Sequence, residues 1–392
     1  MATINGTSGT DHLTGGSGDD TIHGLGGNDV IVGGSGDDFL YGDDGNDILT
    51  GGTGSNDLFG GTGNDRFTMS TRDGSGLSDD LIHDYATGDR IDVRAWGISN
   101  IEQIRQIATI DHNGEVAFNA FYDGYDHVVR IEGLTSLSDL HATEFLFDTS
   151  TAKTEVGTDY DDVLFGTSGN DTLDGGDGND QLLGGAGNDV LIGGFGLDAY
   201  DGGTGFDYVS FAYSTEKVDV NLATNTVTWY DGTTEPLVSI EGAVGSQAAN
   251  TLTGNNARNE FDGQDGNDTL IGAGGNDTLV GGRGADTLTG GSGNDEFFYR
   301  SIMDSTVAAS GQDTITDFTT GDHISLVRVE AQQHESFNFI GTAAFSDHAG
   351  ELRYAVVGGN TVVSLDANGD GTADFAITLT GAHTLSASDF FL

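Results

Sequence analysis

The chain has 392 residues, 63 of them acidic against 13 basic, a net charge of −50 and no cysteine. That balance leaves no basic patch to neutralise phosphate, which argues against nucleic acid and anionic lipid as partners, and the missing cysteines exclude disulfides and thiol-bound zinc. No run approaches the roughly eighteen apolar residues of a membrane helix, and the start, MATINGTSGT, has neither the basic segment nor the apolar core of a secretory signal peptide.

Residues 6–68 divide into consecutive nine-residue units without an insertion: GTSGTDHLT, GGSGDDTIH, GLGGNDVIV, GGSGDDFLY, GDDGNDILT, GGTGSNDLF and GGTGNDRFT. The unit is Gly-Gly-x-Gly-x-Asp-x-U-x, with U a large apolar residue. Glycine at the first, second and fourth places permits a tight turn. The eighth place, filled by Leu13, Ile22, Ile31, Leu40, Leu49, Leu58 and Phe67, then sits in a three-residue extended piece.

Two units make one coil of a two-faced parallel spiral, and coils stack about 4.8 Å apart, the spacing of neighbouring strands. The sixth-place Asp of each unit then lies above its counterpart one coil below. Two bare carboxylates at that distance repel by roughly 0.8 kcal/mol in water and about 3.5 kcal/mol at an effective dielectric of 20. Such a ladder needs a hard, doubly positive, oxygen-seeking ion between its rungs, and calcium fits better than magnesium, which insists on an octahedron and keeps its waters. In this array the candidate ligands are Asp11, Asp20, Asp29, Asp38, Asp47 and Asp65; Asn56 breaks the pattern, with Asp57 beside it.

The nonapeptide resembles the RTX calcium-binding repeat. The resemblance implies an all-β parallel β-roll with one calcium ion per turn.

From residue 69 glycine falls away and alternating apolar stretches appear, such as Leu81-Ile82-His83-Asp84-Tyr85 and Arg90-Ile91-Asp92-Val93. Ser99-Asn100-Ile101-Glu102 has the form of a capping box opening a short helix. Residues 69–150 are read as a small β-rich cap over the open end of the roll. TSTAKTEV, 149–156, has no periodic pattern and reads as a linker.

A second array, 157–210, offers Asp162, Asp171, Asp180, Asp189, Asp198 and Asp207. Residues 211–244 interrupt it with strand-like alternation, expected as wider calcium-free coils or a hairpin. A third array, 245–298, begins with Asn250 and Asn259 in place of Asp, which predicts weak or no calcium there, and then restores Asp268, Asp277, Asp286 and Asp295.

The tail, 299–392, repeats the logic of the first cap: TITDFTTGDHI at 314–324 echoes LIHDYATGDRI at 81–91. It resembles the C-terminal domain of the serralysin metalloproteases, and the first cap is similar to the closing part of the R-modules of mannuronan epimerases. Both resemblances cover noncatalytic parts of those families and imply a calcium-loaded roll. Within the tail, Asp366, Asn368, Asp370 and Asp374 have the spacing of an EF-hand loop with Ile377 where its bidentate Glu belongs; a polar hairpin turn is the equal alternative. Asp322, with Asp84, Asp89 and Asp317, is a weaker candidate ligand.

The closing Asp389-Phe390-Phe391-Leu392 resembles the uncleaved C-terminal signal of substrates of the type I secretion machinery, and an ordinary final strand is the other reading. No catalytic machinery is legible: the 10 histidines form no His-Glu-x-x-His, and no Gly-x-Ser-x-Gly occurs. Tyr122-Asp123-Gly124-Tyr125-Asp126-His127 reads as strand-turn-strand. The expectation is a secreted, noncatalytic calcium-binding protein acting at a cell surface or in an extracellular matrix. The alternative is an enzyme, or an accessory module acting with one, on an extracellular polysaccharide.

Overall fold

One apolar residue in nine, flanked by glycine turns, gives strands too short to bury a face alone, so each coil must rest on the next. In a computed structural model of the chain, which describes residues 1–71, 76–333 and 336–392, this produces two units, Met1–Gly205 and Phe206–Leu392.

In the first unit two parallel ladders advance by eighteen residues per coil. Thr3 pairs with Thr21, Thr21 with Phe39 and Phe39 with Asp57 on one face; His12 pairs with Val30, Val30 with Ile48 and Ile48 with Arg66 on the other. Ile22, Ile31, Leu40, Leu49, Leu58 and Phe67 are fully buried between the faces. Because side chains alternate along a strand, the residues on either side of each eighth place face outward.

The roll does not stop where its motif does. Asp57 pairs onward with Leu81, and Arg66 with Arg90, so the strands Ser78–Ile82 and Arg90–Asp92 form one more coil after a longer step, with Ile82 and Ile91 extending the core. The cap proper follows. Its helix α1, Ile101–Ile107, is capped by Asn100, whose side chain accepts the Gln103 N–H; the cap lies one residue later than the Ser99 box expected, with Gln103 answering to Ser99 N–H. His127–Ile131 lies parallel on Ser78–Ile82.

The second array, as far as Gly205, belongs to the same unit. The last three residues of the stretch read as a linker are in fact its first strand, since Thr154–Val156 pairs with Thr172–Asp174; the backbone there follows the eighteen-residue step although the side chains lack the motif. Phe165 and Leu183 face the cap and join its core, and the buried Gln103 amide donates to the carbonyls of Gly166 and Leu183 at 3.1 and 3.2 Å.

The second unit repeats the scheme. Gly242–Val244, Glu260–Asp262, Thr278–Val280, Glu296–Phe298 and His323–Ser325 follow one another in one sheet, and Val218–Asn221, Thr251–Thr253, Thr269–Ile271, Thr287–Thr289 and Asp313–Ile315 in the other. The interruption is an antiparallel meander, Val218–Asn221, Thr226–Trp229 and Thr234–Val238, whose first strand serves the roll. The tail adds a second meander, Glu351–Val357, Asn360–Asp366 and Phe375–Leu379. Phe390–Phe391 closes the unit as a strand on Ile324–Ser325.

Candidate metal centre

The turn leaves the sixth-place side chain pointing under the next glycine loop, where water is excluded. In the three arrays Asp29, Asp38, Asp47, Asp65, Asp162, Asp171, Asp180, Asp189, Asp198, Asp207, Asp268, Asp277, Asp286 and Asp295 are all 2% exposed or less. One carboxylate oxygen is committed to structure. Asp47 Oδ1 accepts the N–H of Asp29 at 2.7 Å and Asp65 Oδ1 that of Asp47 at 2.8 Å, and the same bond links Asp180 to Asp162 and Asp286 to Asp268, each at 2.8 Å.

The other oxygen tests whether a cation belongs here. Oδ2 of Asp29, Asp38, Asp47, Asp65, Asp180, Asp268, Asp277, Asp286 and Asp295 is buried with no hydrogen-bond donor. It faces main-chain oxygen: a Cβ placed on Gly42 would lie 2.5 Å from both Asp47 Oδ2 and the Gly60 carbonyl, and one on Gly263 2.5 Å from both Asp268 Oδ2 and the Gly281 carbonyl. First-place glycine therefore keeps open a cradle lined by oxygen. Among the described residues no three acidic or histidine side chains are placed to hold a metal ion between them; the cradles of Asp29, Asp38, Asp47, Asp180, Asp268 and Asp277 each set a carboxylate against a main-chain carbonyl of the next coil, an oxygen-only set that suits calcium.

Electrostatics agree with the geometry. Burial, reinforced by neighbouring carboxylates and opposed by the backbone N–H each accepts, pushes Asp47 and Asp65 up to about 6, Asp180 to about 7 and Asp268 to about 8. Without positive charge between the coils these carboxyls resist ionisation.

Not every expected rung is alike. Asp11, Asp162 and Asp171 open their arrays on a threonine turn, and their Oδ2 atoms accept the N–H of Thr7, Thr158 and Thr167 at 2.5, 2.6 and 2.5 Å, with the hydroxyls also bonded. Asp20 Oδ1 accepts the Ala2 N–H at 2.5 Å. Asn56 and Asn250 put an amide where a cation would sit: Asn56 Nδ2 donates to Asp80 Oδ1 at 2.8 Å, and Asn250 Nδ2 to the carbonyls of Ser246 and Ala248. Asn259 Nδ2 donates to the Glu241 carbonyl at 3.0 Å. Asp57 lies off the ladder, bonded to His83.

The caps supply rungs that the nonapeptide pattern hides. Asp89 and Asp322 accept the N–H of Asp65 and Asp295 at 2.8 and 3.0 Å, and Asp313 that of Asp286 at 2.9 Å. Asp80 and Asp313 are buried, and burial pushes them up to about 7 and about 9. Their one signal is an Asp-x-Ile trio, Asp80-Leu81-Ile82 and Asp313-Thr314-Ile315, the sixth and eighth places without the glycines. Asp84 and Asp317 each bind two successive glycine N–H groups, Gly60 with Gly61 and Gly290 with Gly291.

The EF-like stretch is a turn between Asn360–Asp366 and Phe375–Leu379 that satisfies itself. Asp366 accepts the N–H of Gly369 and Gly371, Asp374 those of Ala367 and Asn368, Asn368 that of Asp370, and Asp370 that of Thr372.

Comparison with protein families agrees with this geometry. The family model of the RTX calcium-binding nonapeptide repeat matches residues 5–40, 32–67, 156–191, 174–209, 244–279 and 271–300, a little under half of the chain. Among solved structures the chain is similar to one subunit of the mannuronan C5-epimerase of Azotobacter vinelandii, at 34% identity over 33% of this chain and 79% of that one, with a TM-score of 0.29. A second subunit of that epimerase is 28% identical over 38% and 89%, with a TM-score of 0.28. The extracellular lipase LipA of Serratia marcescens is 20% identical over 66% of this chain and 42% of the lipase, with a TM-score of 0.22. Comparison with curated proteins finds no match.

Proposed function

We propose that this chain, which carries RTX calcium-binding nonapeptide repeats in three arrays, is a secreted, noncatalytic protein whose rolls fold on binding calcium outside the cell. The observation that carries the reading is the repeated pairing of a buried, donorless Asp oxygen with an oxygen-lined glycine cradle, as at Asp47 with Gly42 and Asp268 with Gly263.

Asp29, Asp38, Asp47, Asp65, Asp180, Asp268, Asp277, Asp286 and Asp295 would hold the ions, with main-chain carbonyls of the turns completing each set. Bound calcium supplies the positive charge that lets stacked carboxylates ionise together. The chain's own part is positional: each Oδ1 clamps the backbone of the preceding coil, which aims Oδ2 into the cradle. At a net charge of −50 the unliganded arrays repel themselves and stay expanded. Calcium at cytosolic levels lies below the roughly 10⁻⁴ to 10⁻³ M constants of extracellular modules, so folding is coupled to the compartment.

Export through the type I secretion machinery belongs to the same proposal. Among the described residues no helix is long and apolar enough to cross a membrane.

The test is a calcium titration of chelated protein followed by far-ultraviolet circular dichroism, with magnesium as control. A cooperative gain of β signal near millimolar calcium, absent with magnesium, is the expected result. Full structure in excess chelator overturns it.

One observation favours a second reading, a module that holds an extracellular polysaccharide. A cavity of about 430 Å³ in the first cap is lined by Tyr85, Thr87, Asp89, Arg90, Thr143 and Glu144, polar groups that suit a sugar unit. Calorimetry with neutral and uronate oligosaccharides at saturating calcium tests it: heat that Thr143→Val reduces supports the module, and no heat removes it.

A further inference from the structure

The ninth place of alternate units points outward, and in the first array it carries rings. His23, Tyr41 and Phe59 stand one coil apart, and His83 takes the same place in the coil that leads into the cap. Their ring centroids are 4.4, 4.6 and 4.3 Å apart, with planes within 12° of parallel. At one end His23 faces Asp43 at 3.4 Å. At the other, His83 is held from both sides: Nε2 lies 2.6 Å from Asp57 Oδ1, and Nδ1 lies 2.6 Å from Glu132 Oε2.

Two ring nitrogens on two acceptors set the protonation state. A neutral imidazole has one N–H and one lone pair, so it can satisfy one of these carboxylates and must oppose the other. Both contacts are made only when both nitrogens donate, as in the imidazolium. The partners come from different parts of the fold. Asp57 lies on Ile48–Phe59, a motif-bearing strand of the roll, and Glu132 directly follows His127–Ile131, the cap strand that lies on Ser78–Ile82.

We propose that His83 is a pH-sensitive clasp that ties the first cap to the end of its roll while charged, and lets go of one partner on losing its proton. Asp57 and Glu132 face the ring, the Phe59 ring covers one side, Asp84 next in the chain is bonded to Gly60 and Gly61, and Arg130 near Glu132 is engaged by Asp79 at 2.5 Å.

Burial lowers the His83 pKa, but its bonds to Asp57 and Glu132 and their charges outweigh this and leave it raised above 6.5. A histidine whose folded pKa exceeds its unfolded value contributes stability that is complete below the unfolded pKa and is lost as pH rises through the folded one. The clasp is therefore shut below the raised pKa of His83 and opens as pH climbs through it. It needs no calcium at its own atoms, so it stands or falls apart from the metal reading.

The test uses the full chain at saturating calcium. Nitrogen-15 correlation spectra follow the His83 ring from about pH 5 to pH 10, the span in which a shifted histidine titrates, beside unfolding curves over the same range. The expected result is a ring protonated on both nitrogens at neutral pH, with a midpoint above the ordinary histidine range. Asp57→Asn and Glu132→Gln each move that midpoint down, and His83→Gln removes the stability change that accompanies it. A single neutral tautomer at neutral pH overturns the proposal, as does a midpoint unmoved by either carboxylate variant. Where His83→Gln does not fold, the Asp57→Asn midpoint decides.

Discussion

Asp47 takes the backbone N–H of Asp29 on one carboxylate oxygen at 2.7 Å, while its other oxygen lies buried without a donor. The first bond is what stacks one coil on the next; the second atom is what the stack asks of its solvent.

Replacing Asp47 by Asn separates the two roles. The amide keeps an acceptor for Asp29 and turns its N–H toward main-chain carbonyls, as Asn56 and Asn250 do toward their partners. Asp47→Asn is expected to fold with one metal site fewer and to lose about 2–3 kcal/mol of the stability that calcium adds at a hundredfold excess over its dissociation constant. Calorimetric stoichiometry and calcium-dependent melting check this.

The converse change is Asn250→Asp. It deletes the donor to the Ser246 and Ala248 carbonyls, leaving acceptors face to face in a buried turn. The cost at limiting calcium is about 1–3 kcal/mol, and saturating calcium is expected to return it. Urea unfolding at limiting and at saturating calcium measures both.

Chelated protein should respond to acid in the unusual direction. Burial, then neighbouring carboxylates, raise Asp47 and Asp65 from 3.8 to about 6, Asp180 and Asp286 to about 7 and Asp268 to about 8. Groups that hold their protons longer in the fold favour it below the unfolded pKa and withdraw that support as pH climbs through the folded values. Without calcium, β signal should thus grow as pH falls from about 8 toward 4, followed by circular dichroism in chelator. A signal that instead falls with acid contradicts the assignment of these carboxyls to stacked, buried rungs.

Gly45 has a φ of +152°, and a Cβ there would strike the Gly27 carbonyl of the coil below. Gly45→Ala is expected to cost at least 1–3 kcal/mol, roughly the price of a residue held in a region closed to side chains, and to lower the melting temperature at saturating calcium. Gly114→Ala, also at positive φ but with open space around it, isolates the backbone strain from the clash.

Much of the roll was legible because one residue in nine does one job: the eighth places became the buried column from Ile22 to Phe67, and their neighbours the turns. In the caps a short helix and the weaker candidates Asp89 and Asp322 were legible but the rungs Asp80 and Asp313 were not, because the longer steps from Asp65 to Asp89 and from Asp286 to Asp313 push the pattern out of count while the backbone continues it. Thr7, Thr158 and Thr167 occupy a glycine place, and nothing in their spacing announces that they bond the rung four residues on. His83 was passed over because its partners, Asp57 and Glu132, lie far from it in sequence and meet it only through strand register.

The rung bond also has a direction. Along each ladder the acceptor comes from the later residue: Asp29 waits on Asp47, Asp47 on Asp65, and Asp65 on Asp89. The main chain of the same residues answers in the opposite sense, since Ile48 donates its N–H to the Asp29 carbonyl and Arg66 to that of Asp47. Each coil is thus held to its neighbour by bonds of both polarities, so neither end of the stack can form as a finished template without the coil beside it.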